Sequence, residues 1–63
     1  MGKREEKLVR IIMVNDKPDD VQVLTRTVYS KHDGEEYVIE EGKRYRVHLQ
    51  QGVATFFYYV IEK

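Results

Sequence analysis

The sequence predicts an all-β fold, five antiparallel strands forming a small barrel or a strongly curled sheet. Three observations lead there. Val, Ile, Thr, Tyr and Phe gather into short runs. Turn-forming residues punctuate those runs at close intervals, over residues 15–20, 31–34, 40–42 and 51–52. Several runs alternate apolar and polar side chains with the period of two that half-buried strands require. Hairpins following one another at this spacing favour closure, because a barrel removes the open edges that invite aggregation.

Size limits what else the chain can be. Its 63 residues make one domain, residues 1–63. A domain this short buries only about 60% of the surface its unfolded chain exposes. There is no cysteine, which excludes disulfides and thiolate zinc sites as staples. The two histidines are far apart in sequence, which argues against a histidine metal staple. Regular packing or oligomerisation is left to hold the fold.

The elements follow in order. Residues 1–6 are dominated by charge and are expected to fray. Residues 7–14 (Lys-Leu-Val-Arg-Ile-Ile-Met-Val) are β-branched and read as strand; Leu8, Ile11 and Ile12 also fit helical spacing, but the turn signal that follows at once favours strand. Residues 15–20 (Asn-Asp-Lys-Pro-Asp-Asp) read as a solvated loop. Their three aspartates lack the glycine and terminal glutamate of a calcium-binding EF-hand loop. Residues 21–30 form a second strand, and Asp33-Gly34 marks the hairpin that ends it. His32, Asp33 and Glu35 at that tip read as exposed polar groups rather than metal ligands. Residues 35–39 form a third strand, with Glu40-Glu41-Gly42 as a three-residue loop. Residues 43–50 alternate most regularly, Tyr45, Val47 and Leu49 against Arg44, Arg46, His48 and Gln50. Gln51-Gly52 then reads as a tight turn into residues 53–61, an aromatic strand with apolar side chains on both parities.

A two-residue turn at Gln51-Gly52 sets Leu49 opposite Ala54, Val47 opposite Phe56 and Tyr45 opposite Tyr58 on the core face. It sets His48 opposite Thr55, Arg46 opposite Phe57 and Arg44 opposite Tyr59 on the outer face. Cross-strand neighbours touch, so Arg44, Arg46, His48, Phe57 and Tyr59 form a candidate ligand or nucleic-acid face. Rings that stack bases beside guanidinium groups that meet phosphates are how single-stranded nucleic acid is held. Two features oppose this. Arginine stems also lie over rings merely to shield them. Eleven basic residues against eleven acidic ones leave no net charge, whereas nucleic-acid binders are commonly basic.

Nothing in the chain has the pattern of a catalytic site. Ser30 is a lone serine, the histidines lack partners in sequence, and no glycine-rich phosphate loop occurs. No enzyme activity, cofactor or metal is expected. The N-terminus lacks the apolar segment of a secretory signal and no run reaches transmembrane length. The expectation is a soluble protein with no membrane partner, cytoplasmic if natural.

Turn residues, strand residues and surface charges all agree with one another: Pro18 with aspartates, Asp33-Gly34, Glu41-Gly42, Gln51-Gly52. In this the chain resembles an idealised or designed small β-barrel of the OB or SH3-like size class. The resemblance implies a non-enzymatic scaffold or binding module whose content is its fold. Two other functions are carried beside it: a single-stranded nucleic-acid binder using the arginine–aromatic face, and a self-associating or peptide-capturing β module.

Overall fold

The computed structural model of the chain describes residues 2–63. It is an all-β, curled half-barrel of six strands: β1 (Gly2–Val14), β2 (Lys17–Ser30), β3 (Glu36–Glu40), β4 (Lys43–Arg46), β5 (His48–Gln50) and β6 (Phe56–Glu62). They form one sheet in the order β4-β3-β2-β1-β6-β5. The sixth strand arises because the run 43–50 is interrupted at Val47. β4 pairs with β3 on one side and β5 pairs with β6 on the other. A single stretch of chain thus supplies both ends of the sheet, and this is what curls it.

One pair is parallel, β1 with β6, from Val9↔Tyr58 to Met13↔Glu62. This corrects the expectation of a wholly antiparallel sheet, and the reason is topological. If β4 and β5 count as one run, the chain crosses the sheet five times, reversing at each hairpin. The last run therefore points the same way as the first when it closes beside it.

The first hairpin is longer than expected at both ends. β1 begins at Gly2, so of the segment 1–6 expected to fray, residues 2–6 are paired strand, from Gly2↔Ser30 to Glu6↔Arg26, and residue 1 lies outside the described residues. Arg4 explains part of this, since its guanidinium holds both Glu6 at 2.9 Å and Glu36 of β3. The predicted loop over residues 15–20 contracts to Asn15-Asp16, both with positive φ (53° and 62°). That conformation matches the right-handed twist of the flanking strands, which is why it suits a tight hairpin. Asp19 is left without a partner between Met13↔Pro18 and Ile12↔Asp20, a bulge. Pro18 lacks a ladder N–H and is tolerated because β2 is open to solvent there.

Leu8, Val28, Val38, Tyr59 and Ile61 are buried and form the core, with Ile12, Tyr45, Val47 and Phe57 packed around them. Burying one such side chain contributes about 1.5–3 kcal/mol. The core draws on β1, β2, β3 and β6, with β4 and the residue that follows it closing one side.

Candidate functional site

The loop between β5 and β6 spans residues 51–55 instead of Gln51-Gly52 alone, and Val53 at its tip is fully exposed. The observed pairs are His48↔Tyr58, Leu49↔Phe57 and Gln50↔Phe56. Each residue of 48–50 therefore meets a residue three positions further along than a two-residue turn would give. An odd displacement exchanges the two faces of a strand. Tyr59 is 0% exposed in the core, and Phe57 is half-buried against it. Phe56 and Tyr58 take the outer face. The cause is β1: its parallel pairing sets Arg10 beside Tyr59 and Ile12 beside Ile61, and Ile12 and Ile61 both pack into the core.

The five residues of the sequence-derived face therefore do not assemble. Arg44, Arg46 and His48 share one parity and point outward, whereas Phe57 and Tyr59 point inward. The rings that accompany the outward residues are different. His48 stacks on Tyr58 at 5.2 Å between centroids, and Phe56 lies 5.9 Å from Tyr58.

The hairpin of β3 and β4 is also one residue tighter than expected. Its loop is Glu41-Gly42, both with positive φ (52° and 79°), and Glu40 pairs with Lys43. Val38 then opposes Tyr45 in the core, and Tyr37 opposes Arg46 outside it. Across the other edge of β3, Tyr37 opposes Tyr29, and Tyr29 opposes Lys3. The result is a row across four strands, Lys3–Tyr29–Tyr37–Arg46. The two tyrosine rings stack at 5.4 Å and 22°. Arg44 lies over Tyr37 at 5.0 Å and Lys31 at 5.7 Å, both within cation–π range. A cleft of about 390 Å³ beside Tyr37 is lined by Ser30, Lys31, His32, Asp33 and Arg44. A second, of about 360 Å³, lies beside Tyr29 and is lined by Lys3, Arg4, Glu5 and Thr27. The tyrosine pair thus stands between two clefts, with cations on both sides.

The turn between β2 and β3 holds this arrangement in place. The Lys31 N–H donates to the Glu35 carbonyl at 2.8 Å, the Gly34 N–H to the Lys31 carbonyl at 3.0 Å, and the Glu35 N–H to Asp33 Oδ1 at 2.9 Å. Glu35 also accepts from Lys31 Nζ at 3.3 Å and so offsets part of its charge. Sequence reasoning missed the tyrosine pair although a signal was present. Tyr29 and Tyr37 lie equally far from Asp33 at the hairpin tip.

A separate charged cluster lines the inner side. Tyr59 Oη donates to Glu40 Oε2 at 2.9 Å, Arg26 Nε donates to the same oxygen at 3.2 Å, and Arg10 Nη1 lies 3.6 Å from Glu40 Oε1. Burial alone would raise the Glu40 carboxyl, but the Tyr59 hydroxyl and the two arginines outweigh it and hold it below the ordinary carboxylate range. Burial first, and then Glu40, push the Tyr59 phenol above its ordinary value. Glu36 is likewise lowered, chiefly by its hydrogen bond from Arg4. Tyr59, Arg26 and Arg10 all converge on Glu40, and Glu36 is held separately by Arg4, as expected of structural ion pairs; among the described residues Arg10 Nε is buried without a hydrogen-bond partner. Among the described residues, no three His, Cys, Asp or Glu side chains converge as a metal site would require.

Comparison with protein-family models, curated proteins and solved structures finds no match to this chain.

Proposed function

We propose that the chain is a non-enzymatic small β-barrel module that binds single-stranded nucleic acid on its outer face, with Tyr29 and Tyr37 as the stacking platform. Lys3, Lys31, Arg44 and Arg46 supply the phosphate contacts. The observation that carries this is the stacked tyrosine pair, flanked by a cleft on each side and crossed by cations. Aromatic rings stack any base, so such a surface holds a strand without reading its sequence. His48 and Tyr58 extend the ring-bearing outer face along β5 and β6. This keeps the chemistry anticipated for Arg44, Arg46 and His48 and replaces its aromatic partners.

The balanced charge of the chain supports a second reading, a bare scaffold whose outer tyrosines only shield the sheet. Titration of a fluorescent oligothymidylate separates the two. The binding module gives an anisotropy rise that weakens with salt by a logarithmic slope of about 0.7 per phosphate contact. Arg44→Glu reverses an exposed charge without touching the core and lowers both affinity and slope. Tyr37→Ala removes a stacking partner worth about 1–3 kcal/mol, roughly 5- to 150-fold in affinity. No binding at low salt, or binding unchanged by both substitutions, overturns the proposal and leaves the scaffold.

A further inference from the structure

The β1–β2 hairpin is longer than the sheet that supports it. β2 runs from Lys17 to Ser30 but pairs with β3 only at Tyr29 and Ser30. No further β2–β3 ladder pair follows, β3 ends at Glu40, and Arg26 meets that residue in an ion pair at 3.2 Å. Among the described residues, residues 17–25 of β2 have β1 on one side and no strand paired on the other. A row of unpaired backbone groups is a template for another strand. The open edge also carries exposed apolar side chains. Val21 and Val23 are 57% and 60% exposed, and they lie opposite Ile11 and Val9 of β1 on the outer face. The Thr25 carbonyl receives a hydrogen bond from the Arg26 guanidinium at 3.1 Å.

We propose that this edge pairs with the same edge of a second copy, the two β2 strands antiparallel about a two-fold axis at Val23. The occupant follows from the sequence of the edge read against itself. Asp19 and Asp20 lie at one end of the open stretch, and Arg26 lies just past the other. An antiparallel copy brings opposite charges together twice. With Val23 facing the partner's Val23, Val21 faces the partner's Thr25 and Asp20 faces the partner's Arg26. Every pair then joins side chains of the same face, as an antiparallel ladder demands. A two-fold axis at Gln22 also keeps the faces but sets Asp20 against the partner's Leu24 and loses the charge match. Strand pairing takes over the Thr25 carbonyl and frees that arm of Arg26 for the partner's Asp20. The dimer extends each sheet and joins the two outer strips of Val9, Ile11, Val21 and Val23 into one.

Sedimentation velocity over about a hundred-fold range of concentration tests this, since mass action governs a dimer. The expected result is a mass that climbs from monomer toward dimer. Val23→Lys places two ammonium groups face to face on the axis and raises the dissociation constant at least about tenfold, because like charges directly opposite are destabilising. Asp20→Lys breaks both cross-axis ion pairs and acts in the same direction. Both positions lie outside the core, so circular dichroism should show the same strand content and distinguish lost association from lost folding. The chain contains no cysteine, so Val23→Cys introduces a single thiol. Oxidation links it into dimers faster than it links Val53→Cys, because symmetric cross-strand partners lie within disulfide range. A constant monomer mass overturns the proposal. So does a dimer that withstands both lysine substitutions, or cross-linking no faster at position 23 than at position 53.

Discussion

Tyr59→Phe tests the register on which the interior depends. The substitution deletes one oxygen and leaves the ring in the core. What is lost is the hydrogen bond from the phenol to Glu40 Oε2 at 2.9 Å. A hydrogen bond to a charged group contributes about 1.5–3 kcal/mol. Glu40 retains 17% exposure and keeps Arg26 at 3.2 Å, so the lower end applies, about 1.5 kcal/mol. At roughly 0.05–0.15 kcal/mol per residue, a chain of this length has about 3–9 kcal/mol in total. The loss should therefore lower the melting temperature by roughly 6–12 °C. Tyr58→Phe is the control, because its phenol faces outward. It should change stability by less than about 0.5 kcal/mol. Urea titrations followed by circular dichroism at neutral pH measure both. If Tyr58→Phe destabilises and Tyr59→Phe does not, the strand has the opposite parity and the interior described above is wrong.

The same variant has a pH signature. Glu40 is held below its unfolded value, so its contribution is present above the ordinary carboxylate range and is lost as pH falls through the folded value. Tyr59 is held above its unfolded value, so its contribution is present below about pH 10 and is lost as pH rises beyond the folded value. Wild-type stability should fall at both extremes. Tyr59→Phe should show a shallower acid slope and no tyrosine-59 component on the alkaline side. A variant whose two slopes match the wild type would remove the Tyr59–Glu40 bond from the account.

Other substitutions read other parts of the fold. Glu41 holds φ at 52° in a hairpin turn that Asn or Gly adopts more readily, so Glu41→Asn should stabilise by about 0.5–1 kcal/mol, seen as a higher urea midpoint. Asp16, at φ 62°, should respond similarly to Asp16→Gly, converting the first turn to Asn-Gly; a drop in midpoint would mean that its side chain supports the turn. Leu8 is completely buried in the core, and Leu8→Ala should cost about 2–5 kcal/mol and leave the chain partly unfolded at 37 °C by circular dichroism. A cooperative melt within a few degrees of wild type would mean that the core can collapse around the gap.

The strand runs and most turn positions were legible because their signals are local. Asp33-Gly34 and Glu41-Gly42 mark chain reversals wherever the strands go afterwards. What local signals did not determine is parity. Gln51-Gly52 has the composition of a two-residue turn, but the loop continues to Thr55 because β6 is positioned from its other edge. Ile61 beside Ile12 and Tyr59 beside Arg10 fix which side of β6 faces inward, and β1 is far away in sequence. Hairpin reasoning considers one neighbour of a strand, while a central strand answers to two. The frayed end failed for a related reason. The charges of residues 3–6 do remain largely exposed, but pairing with β2 and the ion pair from Arg4 to Glu36 of β3 hold the segment as strand.

The curled topology also separates the two proposed surfaces. At the end of the sheet where β1 starts and β2 finishes, four strands lie side by side, and the row from Lys3 to Arg46 crosses all of them. A stacked pair anchored on two central strands keeps its spacing, which suits a platform that must meet a base without reorganising. At the opposite end β2 is an edge, the chain bulges at Asp19, and Pro18 interrupts the donors. Proline, a bulge and two aspartates are devices that discourage indiscriminate edge pairing. They are confined to residues 18–20, and the edge from Val21 to Thr25 has none of them. An edge defended at one end and open in the middle admits a partner of matching length and complementary charge. The charges that β2 carries on either side of that opening are complementary to β2 itself.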